Sequence, residues 1–263
     1  MKKIKDIENK NNPLVIAHRG YRGSYPENTI SAFEAAIEVN ADMIELDVCL
    51  TRDRIPVVIH DMTLERTTDG VGFVSNFTLS ELKELDAGSW FKKEFKGEPI
   101  PSLEETLEQI RGRITVNIEI KPESYQYLES FDSIEIQICE LLEKFEMEES
   151  VIISSFKYHF FPRIQRFYQR HKKSNTVRIS LLRENFQTNE SILRLCKSEK
   201  AYSYNPNESF VTENLINLLN ESGYRIFPYT VNDFSRMEKL IKYGVNGLIT
   251  DEPEILRKLI NKL

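Results

Sequence analysis

The sequence predicts an α/β protein in which eight βα units close into a parallel TIM (β/α)8 barrel, with a small insertion after the second barrel strand. Three observations predict it. Short apolar runs rich in β-branched residues alternate with longer stretches of helical period, the pattern of a parallel sheet wrapped by helices. The length, 263 residues, suits one barrel of about 250 residues, although two smaller domains would also fit it. One connection, roughly residues 51–102, breaks the alternation and reads as an insertion above the barrel mouth. The expected organisation is a single catalytic domain over 1–263, with 52–101 as a small cap within it.

After a polar start, Leu14–His18 is an apolar run stopped by Arg19-Gly20, and Thr29–Val39 has helical period behind Pro26-Glu27-Asn28. Met43–Leu50 is the second strand. Ile55–His60 follows it after only Thr51–Arg54. A parallel crossover needs a dozen or more residues, so these two strands must form an antiparallel hairpin. A turn centred near Asp53 sets Thr51 opposite Pro56 and Asp47 opposite His60. The rest of the insertion offers a short helix at Leu79–Leu85 and an aromatic group, Trp90, Phe91 and Phe95, expected to form its core. Beyond it, strands at Ile114–Ile120, Val151–Ser154, Val177–Leu182, Ala201–Tyr204, Arg225–Val231 and Gly247–Thr250 complete the barrel. The helices between and after them are Leu103–Arg111, Ile134–Phe145, His159–Arg170, Glu190–Ser198, Thr212–Ser222, Phe234–Tyr243 and Glu254–Leu263.

Composition narrows the function. A net charge of −6 lacks the basic footprint that nucleic-acid binding needs and would be repelled by an anionic membrane surface. Cys49, Cys139 and Cys196 form no CxxC pair, so they read as buried reduced thiols rather than disulfides or a zinc site. The N-terminal MKKIKDIENKNNP has no apolar stretch behind its charges and does not read as a signal peptide. No apolar run approaches the roughly 18 residues of a membrane span. The expectation is a cytoplasmic protein without stable membrane insertion, monomer or homodimer, acting on a small molecule.

The chemistry gathers at strand C-termini, where barrel enzymes place their sites. Glu45 and Asp47, two apart, share one face of their strand. Asn117, Glu119 and Lys121 share a face of the third parallel strand, and His18 ends the first. Three carboxylates in one partly desolvated site repel until some are protonated, or until a cation joins them. All-oxygen ligands favour Mg²⁺ or Ca²⁺ over zinc. Arg19 and Lys121 then supply fixed positive charge suited to a phosphate, and His18 and His60 can exchange protons near pH 7. Phe156 and Tyr229 are candidate pocket walls. His159 and His171, on a helix rich in charge and aromatics, read as surface or packing residues.

Taken together, His18-Arg19-Gly20, Pro26-Glu27-Asn28-Thr29, Glu45-Leu46-Asp47, His60-Asp61 with Leu64, Arg66-Thr67-Thr68 and Gly70 resemble the glycerophosphodiester phosphodiesterase family. So do Leu85-Asp86-Ala87-Gly88, Ile100-Pro101-Ser102-Leu103-Glu104-Glu105, Glu119-Ile120-Lys121 and Gly247-Leu248-Ile249-Thr250-Asp251. The resemblance runs from Leu14 to about Pro253. It implies a TIM barrel with a small insertion, and hydrolysis of glycerophosphodiesters to glycerol 3-phosphate and an alcohol. It also implies that His18 and His60 are the acid–base pair and that Glu45, Asp47 and Glu119 hold the metal. Arg19 and Lys121 would contact the phosphate, and Glu27 would lie near the metal or the glycerol. Two positions depart from the family: Tyr229 where Trp is frequent, and Asn246 where Asp is usual.

No Ser, Cys or Thr recurs in these motifs as an attacking group. The substrate brings its own candidate, the glycerol 2-hydroxyl, whose intramolecular attack would give a cyclic 1,2-phosphate that water then opens. Lysophospholipase D, sphingomyelinase D-like enzymes and phosphatidylinositol phospholipases C use a similar two-histidine barrel on lipids, usually outside the cell. A non-catalytic phosphodiester-binding barrel should have lost a catalytic group, and none is missing. A sugar-phosphate isomerase would need a glycine-rich phosphate loop that Thr250-Asp251-Glu252-Pro253 does not supply.

Overall fold

The computed structural model describes residues 2–8, 12–171 and 177–262. Its strands are β1 (Leu14–His18), β2 (Met43–Leu50), β3 (Pro56–Val58), β4 (Thr115–Ile120), β5 (Val151–Ser155), β6 (Arg178–Arg183), β7 (Ser203–Pro206), β8 (Arg225–Ile226) and β9 (Gly247–Thr250). All but β3 are parallel neighbours in the order β8-β7-β6-β5-β4-β2-β1-β9. The ends of that order meet through Ile249 N→Pro228 O (3.0 Å) and Val231 N→Ile249 O (2.9 Å). The result is the eight-stranded parallel barrel that the alternation predicts. The expected strand over 225–231 is regular only at Arg225–Ile226. Pro228 has no N–H to give, so the chain there bonds its neighbours irregularly.

Side chains alternate between two environments. Val15, Ala17, Ile44, Leu46, Val116, Ile118, Ile153 and Leu181 face outward into the helical layer. Leu14, Ile16, Met43, Ile152, Phe227 and Ile249 face inward and fill the lower barrel. The same inward faces turn polar toward the mouth, with His18, Glu45, Asp47, Asn117, Glu119, Ser154, Ser203 and Asn205 all buried. A dry floor thus carries a polar upper layer.

The floor is sealed by an element that the polar start conceals. Helix α1 (Ile4–Glu8) inserts Ile4 and Ile7, both essentially fully buried, against the lower cluster. At the mouth, Gly20 has φ +82°, and a Cβ there would lie 2.7 Å from the Ala32 backbone. Only glycine lets the chain after His18 pass so close to helix α2 (Ile30–Glu38). Thr29 caps that helix by accepting from Ala32 N. Asn246 keeps a strand-end bond, its Oδ1 accepting from Ile226 N at 2.8 Å.

The hairpin pairs one residue out of the predicted register. Leu50 lies opposite Pro56 and Val48 opposite Val58. Thr51 N instead bonds Ile55 O, and Arg54 turns with φ +67°, so a three-residue loop replaces the expected turn. Asp47 therefore faces Ile59, whose N–H bonds its carbonyl at 3.1 Å. The insertion packs an aliphatic core of Cys49, Val57, Ile59, Leu64, Val74, Leu82, Ala87 and Ile100. The aromatic group is not that core: Trp90, Phe91 and Phe95 stack edgewise on one another and on Tyr25. The final helix spans Pro253–Ile260, and the predicted end at Leu263 lies outside the described residues. The three cysteines are free and buried. Among the described residues no helix is long and apolar enough to cross a membrane.

Candidate active site

β2 and β4 pair Glu45 with Asn117 and Asp47 with Glu119, so three inward carboxylates meet at one level. One oxygen from each of Glu45, Asp47 and Glu119 lies within 4.8 Å of the others. Burial, then the charges of Asp47 and Glu119, push the Glu45 carboxyl well above its usual range. Burial and Asp47 push Glu119 up to about 7. Burial also opposes charge on Asp47, but Arg19 and Lys121 override it and hold that carboxyl low. The cluster is under-neutralised by the protein alone, as a cation site should be. Beside it, the buried Asn117 Oδ1 and Ser154 Oγ have no hydrogen-bond partner. The donors are all oxygen and fit a hard divalent ion such as Mg²⁺ or Ca²⁺.

Positive charge surrounds the triad. Lys121 Nζ is 3.0 Å from Glu119 Oε1 and 3.5 Å from Asp47 Oδ1. Arg19 donates its backbone N–H to Glu45 Oε2 at 3.0 Å and its Nη1 to Glu27 Oε1 at 2.7 Å. Its Nε lies 3.2 Å from Asp47 Oδ2 but is not aligned for a hydrogen bond. Asn28, with φ +59°, clamps Asp47 by donating to Oδ2 at 2.9 Å and accepting from Asp47 N at 3.3 Å.

Each of the two histidines is backed by a carboxylate. His18 Nδ1 is 2.6 Å from Asp251 Oδ1, just past β9, and His60 Nδ1 is 2.5 Å from Asp61 Oδ1. Burial opposes both aspartates, but their partners hold each at about 2. An ionised carboxylate only accepts, so each Nδ1 carries the proton and each Nε2 is left for exchange. Burial is the largest influence on both imidazoles and lowers their pKa values, against the pull of Asp251 on His18 and Asp47 on His60. Neutral imidazole is therefore available near pH 7.

Glu27, expected near metal or glycerol, lies at the mouth with each of its oxygens accepting from two guanidinium groups. Arg19 and Arg66 donate to Oε1 at 2.7 and 2.8 Å, and Arg22 and Arg66 to Oε2, both at 2.9 Å. These arginines outweigh the burial penalty and hold the Glu27 carboxyl at about 2. Arg66 Nε also donates to Asp61 at 2.5 Å, and Arg22 Nη1 lies 3.3 Å from Asp251 Oδ2. Glu27 thus ties the two His–Asp pairs together through two guanidinium groups.

Asp61, Asp251, Asn28, Arg22 and Arg66 join the site without a role expected from the sequence. Four of them sit within or next to motifs quoted above, where position beside a histidine or at a strand end was the available signal. Tyr229 and Phe156 meet edgewise at the mouth, with ring centroids 6.0 Å apart. His159 packs against Tyr125, and His171 pairs with Glu143 at 3.0 Å on the outer surface. Neither belongs to the cluster.

Comparison with known proteins agrees with this geometry. The profile described as "Glycerophosphoryl diester phosphodiesterase family" matches residues 18–255. A glycerophosphodiester phosphodiesterase of Caldanaerobacter subterraneus subsp. tengcongensis is 42% identical over 250 residues, covering 95% of this chain and 98% of the relative. The putative glycerophosphodiester phosphodiesterase YhdW of Bacillus subtilis is 41% identical, covering 93% and 96%. Among solved structures, an Oleispira antarctica phosphodiesterase in complex with its product sn-glycerol-3-phosphate superposes with a TM-score of 0.84 at 29% identity, covering 95% of this chain and 97% of that one. The chain is an enzyme of the glycerophosphoryl diester phosphodiesterase family.

Proposed function

We propose that the site hydrolyses glycerophosphodiesters to glycerol 3-phosphate and an alcohol, by acid–base catalysis between His18 and His60. One observation carries the reading: two carboxylate-backed imidazoles share the barrel mouth with a buried carboxylate triad and two fixed cations. Glu45, Asp47 and Glu119 would hold a divalent cation, which supplies positive charge for phosphoryl oxygens when bound. Arg19 and Lys121 contribute further positive charge and orient the phosphate.

With the diester bound, one histidine takes the proton of the glycerol 2-hydroxyl through Nε2 as the oxygen attacks phosphorus. The other enters the step as imidazolium and gives its Nε2 proton to the departing alcohol oxygen as the P–O bond breaks, leaving a cyclic phosphate. Water then opens the ring. The second histidine, now neutral, takes the water proton, and the first returns its proton to the 2-oxygen. Attack from a neighbouring hydroxyl is intramolecular, and well-oriented cases reach effective molarities of about 10⁵–10⁸ M.

Glu27 fits this scheme as the residue that fixes both His–Asp pairs, with 52–101 acting as a cap that delivers His60 and Arg66. Glu27→Gln leaves three guanidinium groups facing a neutral amide. Its kcat is expected to fall about 10- to 100-fold, the cost typical of losing an orienting partner, with circular dichroism unchanged. A normal kcat would mean that the arginine network does not hold the histidines. The function itself is tested by measuring glycerol 3-phosphate released by purified protein from glycerophosphocholine, glycerophosphoethanolamine and glycerophosphoglycerol. Release from at least one is expected, and release from none would refute the reading.

A further inference from the structure

The mouth beyond β5, β6 and β8 is built differently from the carboxylate triad of β2 and β4. Ser154 on β5 lies beside Glu119, and Phe156 follows directly after the strand ends at Ser155. Its ring meets Tyr229 edgewise, with centroids 6.0 Å apart at 85°. Tyr229 in turn sits beside Asn207 in a parallel bridge. Both reach one carboxylate just past β6: Tyr229 Oη donates to Glu184 Oε2 at 2.8 Å, and Asn207 Nδ2 donates to Oε1 at 3.1 Å. Glu27, Asp47, Asp61, Glu119 and Asp251 all have a cationic partner. Among the described residues, Glu184 has only these two neutral donors, and no described cation lies over the Phe156 or Tyr229 ring. Two aromatic rings beside a carboxylate without a counter-charge, oriented but exposed to solvent, suit a ligand cation.

We propose that this wall receives the positively charged amino alcohol of the substrate, choline or ethanolamine, as the leaving group, an inference that rests on the phosphodiesterase reading above. The diester phosphate is anionic and belongs with Arg19 and Lys121. Its glycerol arm is neutral and can offer Glu184 only hydroxyl hydrogen bonds, without a counter-charge. The cationic arm gains a charge-assisted contact from Glu184 and ring-face attraction from Phe156 and Tyr229.

The test compares kcat/KM for glycerophosphocholine and glycerophosphoglycerol in the wild type and in Glu184→Gln, a near-isosteric change at an exposed side chain. The choline-to-glycerol ratio is expected to fall roughly tenfold in the variant. Choline chloride should also inhibit glycerophosphoglycerol hydrolysis by the wild type more strongly than by the variant. An unchanged ratio, with both diesters still cleaved, overturns the wall while leaving the phosphodiesterase intact. Cleavage of neither diester by the wild type overturns the phosphodiesterase reading, and this inference with it.

Discussion

Exhaustive chelation is expected to lower diester hydrolysis at least ~100-fold, and added Mg²⁺ or Ca²⁺ to restore it. The magnitude follows from the several kcal/mol that a divalent ion supplies to developing charge on phosphoryl oxygens. The cause lies in the triad. Glu45 and Glu119 are held above their ordinary range by burial and by Asp47, and two cations from the protein do not relieve that repulsion. A bound ion should therefore stabilise the fold as well, raising the thermal midpoint with metal concentration by mass action. Glu119→Gln removes one charge and little volume, so it should weaken that thermal response while the protein stays folded. Full activity after complete chelation, with no thermal response to either ion, would refute the metal assignment.

Loss of either histidine is expected to cost about 10²–10⁴-fold in kcat/KM, the usual contribution of a general acid or base. Both losses are expected to matter because each imidazole is aligned by its own aspartate, His18 by Asp251 and His60 by Asp61. Groups that act as one unit are not additive. The His18→Ala/His60→Ala double variant should thus lose far less than the product of the single losses. His159→Ala and His171→Ala, on the outer surface, should remain near wild type. Normal turnover by His60→Ala would remove that residue from the chemistry.

Much of the barrel was legible because buried parallel strands announce themselves. β1, β2 and β9 fall where their apolar runs do, bounded by His18-Arg19-Gly20, by the turn after Leu50, and by Thr250-Asp251. The carboxylate triad was legible from period-two spacing, since Glu45, Asp47 and Glu119 need only one shared inward face to meet. The hairpin register was not. It depends on Arg54 adopting a left-handed conformation that its side chain does not advertise, and a loop one residue longer shifts every pairing. His60 still reaches the mouth, because β3 ends at Val58 and the chain turns after it. Asp47 accordingly pulls the His60 pKa upward against burial, and His60 helps hold the Asp47 carboxyl low.

The positioning residues were illegible for a different reason. Arg22 and Arg66 are 44 residues apart in sequence and meet only because both reach the buried Glu27. Nothing local in either arginine indicates that partner. Asp251 lies 233 positions from His18, and closure of the barrel between β1 and β9 is what brings them together. Helix α1 was missed although Ile4 and Ile7 have helical spacing. Five residues are too few for a period to stand out among lysines and acidic residues.

The central mechanistic claim is that the substrate's own 2-hydroxyl attacks phosphorus. Its most direct test is turnover of 3-hydroxypropyl phosphocholine, which keeps the phosphate, the choline and the chain length but lacks that hydroxyl. The account predicts that it binds as a competitive inhibitor of glycerophosphocholine hydrolysis and is hardly cleaved, because the intramolecular advantage is gone. Cleavage within about tenfold of the glycerophosphocholine rate would contradict it, since so small a loss leaves no room for that advantage and makes water the nucleophile.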